Sequence, residues 1–125
     1  MTDVADLRRA LVELHRELLA AQRIEAERFG GRMSASEVLQ AATEDLRFSW
    51  LRELSELVAA FDEARRDGDD GGGRALVART RELLAPPAGD TAFGARYLRA
   101  LQDHPGVVMA HRDVTAALAA DPARR

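Results

Sequence analysis

The sequence predicts an all-α protein, an antiparallel bundle of four to six helices. Three observations carry that prediction. Apolar residues recur at steps of three and four through most of the 125-residue chain, which is the period of an amphipathic helix. No segment shows the alternation of apolar and polar residues that a half-buried strand requires. Capping residues and glycine or proline breaks fall between the periodic segments.

The first helix is expected from about Asp3 to Phe29. Thr2 can cap it, and Asp3 and Asp6 suit the positive end of the helix dipole. Val4, Leu7, Leu11, Leu14, Leu18 and Ala21 form its stripe. Val12, Leu19 and Ile24 widen that stripe to the breadth a bundle helix needs. Gly30-Gly31 ends the helix, because glycine accepts the left-handed cap conformation. Ser34-Ala35-Ser36-Glu37 then reads as a capping box, with Met33 and Val38 placed as a hydrophobic staple.

From that start, either one helix runs from Ala35 to Arg66 or a short helix breaks near Thr43. The break is favoured, since Thr43 or Asp45 makes a good cap and the apolar register slips there. The stretch 46–63 holds the only Trp and two of the four Phe. Leu46, Trp50, Leu54, Leu57 and Phe61 lie on one helical face. They should pack on Leu11, Leu14 and Leu18, so that the first helix and segment 35–66 form a long hairpin.

Residues 67–73, rich in Asp and Gly, read as a flexible linker. They lack the pattern of a calcium loop. A third helix is expected from about Arg74 to Leu84, with Leu76, Val77, Thr80, Leu83 and Leu84 inward and Pro86-Pro87 as its stop. Asp90 or Thr91 starts a fourth, carrying Phe93, Tyr97 and Leu101. Pro105-Gly106 interrupts it after His104, because a residue before proline disfavours helical geometry. The last helix places Val107 or Val108, His111, Val114 and Leu118 on one face. Asp121-Pro122 ends it, and 121–125 should fray. Residues 1–125 are read as a single domain.

Composition narrows the chemistry. The absence of cysteine removes disulfides, thiolate nucleophiles and thiolate metal sites. All 18 basic residues are Arg, Lys and Asn are absent, and Ala occurs 24 times, a usage that points to a GC-rich bacterial genome. A net charge of −3 argues against non-specific nucleic-acid binding, although Arg8, Arg9 and Arg16 could form a local basic patch. Neither a leader pattern nor an apolar run of about 20 residues is visible. A soluble cytoplasmic protein, away from membranes, is expected.

Leu14-His15, Leu18-Leu19, Arg23 and Glu27 are followed by Phe48, Trp50-Leu51-Arg52, Leu54-Ser55, Leu57 and Asp62-Glu63, and then by the run Pro105 to His111. Together these residues resemble a group of small bacterial all-helical proteins with no assigned activity. The likeness spans most of the chain apart from the Gly-rich stretch. It implies a helical fold and carries over no catalytic residue. Members often place proline after the acidic residue at position 45, where this chain has Leu46.

No catalytic, cofactor-binding or metal-binding set stands out. The three histidines, His15, His104 and His111, include no Glu-x-x-His pair of the di-iron kind. His111 on an apolar face reads as a core or interface residue. None of the four serines sits in a nucleophile elbow, and Gly71-Gly72-Gly73-Arg74 is no P-loop. Arg23, Glu27, Arg52, Asp62 and Glu63 form the notable polar set, read either as ordinary surface ion pairs or as a clamp between helices or subunits. His15, Arg23, Glu27, Trp50, Arg52 and His111 are therefore the candidate clamp or pocket residues. The expected function is a non-enzymatic interaction or regulatory module acting as a homodimer, with apolar residues of the first helix, or Val114 and Leu118, at the interface. The alternative is a bundle that binds a small apolar ligand or a metal between helices.

Overall fold

The computed structural model describes residues 4–44, 48–68, 70–84 and 91–119. Its helices are α1 (Val4–Gly30), α2 (Ala35–Glu44), α3 (Arg52–Asp67), α4 (Asp70–Leu84), α5 (Ala92–Asp103) and α6 (Pro105–Ala119), with a 3₁₀ turn at Ser49–Leu51 ahead of α3. No strand occurs among the described residues. The all-α bundle read from the periodicity is the fold. Thr2, Leu46 and the 121–125 tail lie outside the described residues.

Helix ends follow local chemistry. Gly31, at φ +83°, turns the chain out of α1. Ser34 and Glu37 form the capping box: the Glu37 amide donates to Ser34 Oγ at 3.2 Å, and the Ser34 amide to Glu37 Oε1 at 3.2 Å. Thr91 caps α5 by accepting the Gly94 amide at 2.9 Å. His104, extended at φ −131°, ends α5 before Pro105 opens α6, the first helical position suiting a residue with no amide hydrogen.

α1 is the central element. Leu7, Leu11, Leu14 and Leu18 are fully buried. Their core is completed by Leu54, Leu57 and Phe61 of α3, Val77 and Leu84 of α4, Phe93 and Tyr97 of α5, and Val107, Val114 and Leu118 of α6. Each such side chain is worth about 1.5–3 kcal/mol in the burial of apolar surface. α2 stands apart, since Ala26, Ala41 and Phe48 make a second, small cluster.

Four expectations need correction. The principal neighbour of α1 is α6 rather than segment 35–66, so the long hairpin is only one of its contacts. α2 ends at Glu44 and α3 begins at Arg52; the break is real, but the aromatic helix starts later than Thr43 or Asp45 would set it. The tighter 3₁₀ turn rotates the register, so Leu51 takes the buried place and Trp50 is half-buried. Finally, residues 70–73 are helical, and the expected linker shrinks to the junction at Gly68, whose φ of +64° supplies the left-handed cap of α3. A first turn forgives poor helix formers, and a Cβ at position 73 would sit at an ordinary contact distance, 3.5 Å, from the Val4 side chain, so glycine is not required there for space.

Candidate functional site

α1 and α5 each present one face to a shared cleft of about 370 Å³. Ala21, Gln22, Ile24, Glu25 and Arg28 line it from α1; Arg96, Arg99, Ala100 and Asp103 line it from α5. Both sets follow the three-four spacing of a helical face. Trp50 lies between them and His104 closes one end.

Trp50 is anchored on both its polar and its apolar side. Its indole N–H donates to Gln22 Oε1 at 2.9 Å, and its ring lies 5.6 Å from Phe93, centroid to centroid. Phe93 in turn lies 5.5 Å from Tyr97, and Tyr97 meets His111 edge-on at 5.4 Å. An aromatic ladder therefore runs from the cleft into the bundle. At its inner end the Tyr97 hydroxyl and His111 Nδ1 are 2.6 Å apart. Burial raises the phenol pKa far above its ordinary value and lowers that of His111. Both groups are thus neutral near pH 7, and the phenol O–H donates to the imidazole. This bond satisfies a buried hydroxyl.

His15 joins α1 to α3. Its Nε2 is 2.7 Å from Ser55 Oγ, which also donates to the Leu51 carbonyl at 3.2 Å. A hydroxyl has one proton to give, so His15 must be the donor to Ser55. That polarity is the reverse of what activates a serine nucleophile. Burial lowers the His15 pKa, consistent with a neutral ring.

Arg23 and Glu27 grip a loop rather than a second helix or subunit. Glu27 accepts the Met33 amide at 2.6 Å, Arg23 donates to the Met33 carbonyl, and Arg23 Nε lies 3.5 Å from Glu27 Oε2. The backbone bond from Met33, aided by the Arg23 charge, pulls the Glu27 carboxyl below its ordinary pKa. The chain between α1 and α2 is gripped from within the same subunit.

Of the six candidate residues, only Trp50 reaches the cleft. Arg23 and Glu27 meet at the loop; His15 and His111 hold separate helix pairs. Arg52 is exposed and makes no ion pair among the described residues. Asp62 of the same polar set pairs with Arg8, which ties α1 to α3. The possible basic patch is neutralised locally, since Arg9 pairs with Asp6 at 3.1 Å and Arg16 with Glu13 at 3.0 Å. No group of three or more metal-ligating side chains converges among the described residues.

Sequence reasoning passed over Gln22, Arg28 and Arg96, and read Tyr97 only as one of the apolar-face residues of its helix. Gln22 did carry a signal: it sits four residues after Leu18, in core register, where a polar side chain needs a partner. The two arginines carried none, because they are two of 18 arginines spread along the chain. Comparison with protein-family models, curated proteins and solved structures returned no match.

Proposed function

We propose that this protein is a small non-enzymatic module that works by binding a ligand in the α1–α5 cleft. The observation that carries this reading is Trp50, a large aromatic side chain left half-open at the floor of a concave surface by a hydrogen bond to a buried glutamine. Pockets that hold small molecules combine such an apolar surface with a few placed polar groups. The reading departs from an enclosed apolar pocket between helices, because arginine and acid side chains share the walls. A cytoplasmic bacterial setting belongs to the same proposal.

A fragment screen read by two-dimensional NMR tests it. The indole N–H of the sole tryptophan and the amides of Ala21 and Ala100 should shift together with saturable binding. Compounds that shift only residues outside the cleft, or none that bind, would remove this reading.

Assembly through a helix face is the second reading. It is supported by Val108 and Met109, adjacent on α6 and both exposed, and by Leu39 on α2, which is 69% exposed. The interface expected from the sequence needs revision, however. Most of the α1 stripe, Val114 and Leu118 are buried inside a single chain, whereas Ile24 of α1, Val108 and Met109 of α6 and Leu39 of α2 are exposed, so a homodimer would use those residues instead. Light scattering of the wild type and of Met109→Glu at micromolar concentration decides it. Twice the 13.7 kDa chain mass in the first and the monomer mass in the second support assembly, and a monomer in both removes it.

A further inference from the structure

We propose that the α1–α5 cleft takes a small organic anion, with its carboxylate met by Gln22, Arg28 and Arg96 and its flat apolar body against Trp50. The proposal rests on the binding-module reading and adds the chemistry of the ligand.

Gln22 sets the polarity of the cleft. It is only 4% exposed, and its orientation is fixed, because an indole N–H can only donate and must face the amide oxygen. The amide NH₂ is left over. It has no acceptor among the described residues, and it belongs to a side chain that lines the cleft. The NH₂ group keeps contact with solvent rather than being sealed in, so an acceptor on a ligand in the cleft can take up its unused hydrogens. Arg28 from α1 and Arg96 from α5 add guanidinium donors from both walls, and neither forms an ion pair among the described residues.

The acids of the cleft do not cancel this. Asp103 lies 3.9 Å from Arg99, so those two largely offset each other. Glu25 remains as one carboxylate against two guanidinium groups and an amide donor. The balance is locally positive on a chain whose net charge is −3. Charged donors grip carboxylates more strongly than neutral ones do, and arginine can do so with two parallel bonds.

The apolar half of the cleft argues for an organic ion rather than a bare inorganic one. Half-buried Trp50 offers surface that phosphate or sulfate would leave unused, and Ile24, 51% exposed, extends it at the rim. A volume of about 370 Å³ falls at the small end of ligand pockets, roughly 300–1,000 Å³.

Titration of the full chain with 2-naphthoate and with its neutral counterpart 2-naphthamide, read at the Trp50 indole cross-peak, tests the proposal. The carboxylate should bind at least about tenfold more tightly than the amide, the usual scale for a hydrogen bond to a charged group. Arg96→Gln, an exposed change, should weaken naphthoate about tenfold and leave naphthamide unaffected. Gln22→Glu keeps an acceptor for the indole but replaces the donor with a negative charge. It should abolish preference for the carboxylate; because position 22 is only 4% exposed, the buried charge should also lower the melting temperature, and the exposed Arg96→Gln change reads the anion preference without that cost. Equal binding of the two compounds, or carboxylate binding indifferent to both substitutions, overturns the anion proposal and leaves the binding-module reading standing. No shift with either compound also overturns it, and the wider fragment screen then judges that reading separately.

Discussion

The main core and the α2 annex are built on different principles. Around α1, four helices bring together a continuous set of leucine, valine and aromatic side chains, many with no surface in water. α2 rests mainly on the 3₁₀ turn and contributes to a cluster of Ala26, Ala41 and Phe48, with Leu19 and Met33 at its edge. Among its described residues α2 itself buries only Val38 and Ala41, so apolar burial alone holds it weakly. Polar ties compensate: the Ser34–Glu37 capping box and the Arg23–Glu27 grip on Met33. One region is held by area, the other by a few directed bonds, and the two should fail in different ways.

The largest effect should come from the main core. Leu54 has no exposed surface, and Leu54→Ala should cost about 2–5 kcal/mol of global stability, measured by urea unfolding. A loss below about 0.5 kcal/mol, the level of a surface change, would mean that the α1–α3 contact is misassigned.

Next in size is the cap of α2. Ser34→Ala should cost about 0.5–2 kcal/mol, and Ser34→Gly only a few tenths. The comparison between regions predicts where that cost falls. Hydrogen exchange of amides in α2 should speed up, while the α3 amides around Leu57 keep their protection. Uniform acceleration in both helices would show that α2 and the main core open as one unit.

Smaller again is the Arg8–Asp62 pair joining α1 to α3. Its side chains are 30% and 41% exposed, so a double-mutant cycle to alanine should return about 0.2–1 kcal/mol of coupling. Coupling well above that range would mean that the main core also depends on directed polar ties, and the contrast with α2 would narrow.

Legibility in the sequence followed the same division. Features set by local spacing could be read directly: the α1 stripe, the Leu54–Leu57–Phe61 face, the Ser34 capping box, Thr91 as a cap, and the stop at His104-Pro105. Misreadings arose where tertiary packing overrode local preference. The glycines at 71–73 argue against a helix, yet they fall in the first turn of α4, where poor helix formers cost less than in a helix interior. Helix pairing was also hidden, because α1 meets α6 across most of the chain length and periodicity says nothing about partners. The cleft was the least legible part. Trp50 drew attention as a core residue, yet its value as a floor comes from Gln22, twenty-eight positions away, and from arginines that converge only in three dimensions.

The pH response should be the smallest effect, because both histidines involved keep part of their surface in solvent, and it separates the two regions by chemistry. His15 and His111 bind helices of the main bundle, and burial lowers both pKa values from 6.5. The unfolded chain therefore takes up protons more readily than the folded one as pH falls below about 6.5, and stability declines in that direction. Above that pH both rings are neutral in either state and the contribution is fully present. Glu27, in the α2 tie, behaves as a lowered carboxylate: its contribution holds above its ordinary value of 4.5 and is lost only as pH falls through the depressed folded value. Between pH 7 and 5.5 the melting temperature should fall slightly, and His111→Gln, which can still accept from Tyr97, should flatten that fall. Exchange of α2 amides, corrected for the intrinsic pH dependence, should stay constant over the same interval. If α2 loosens before the main bundle as pH drops towards 5.5, the Glu27 tie does not govern its attachment, and the division between a core held by area and an annex held by directed bonds fails.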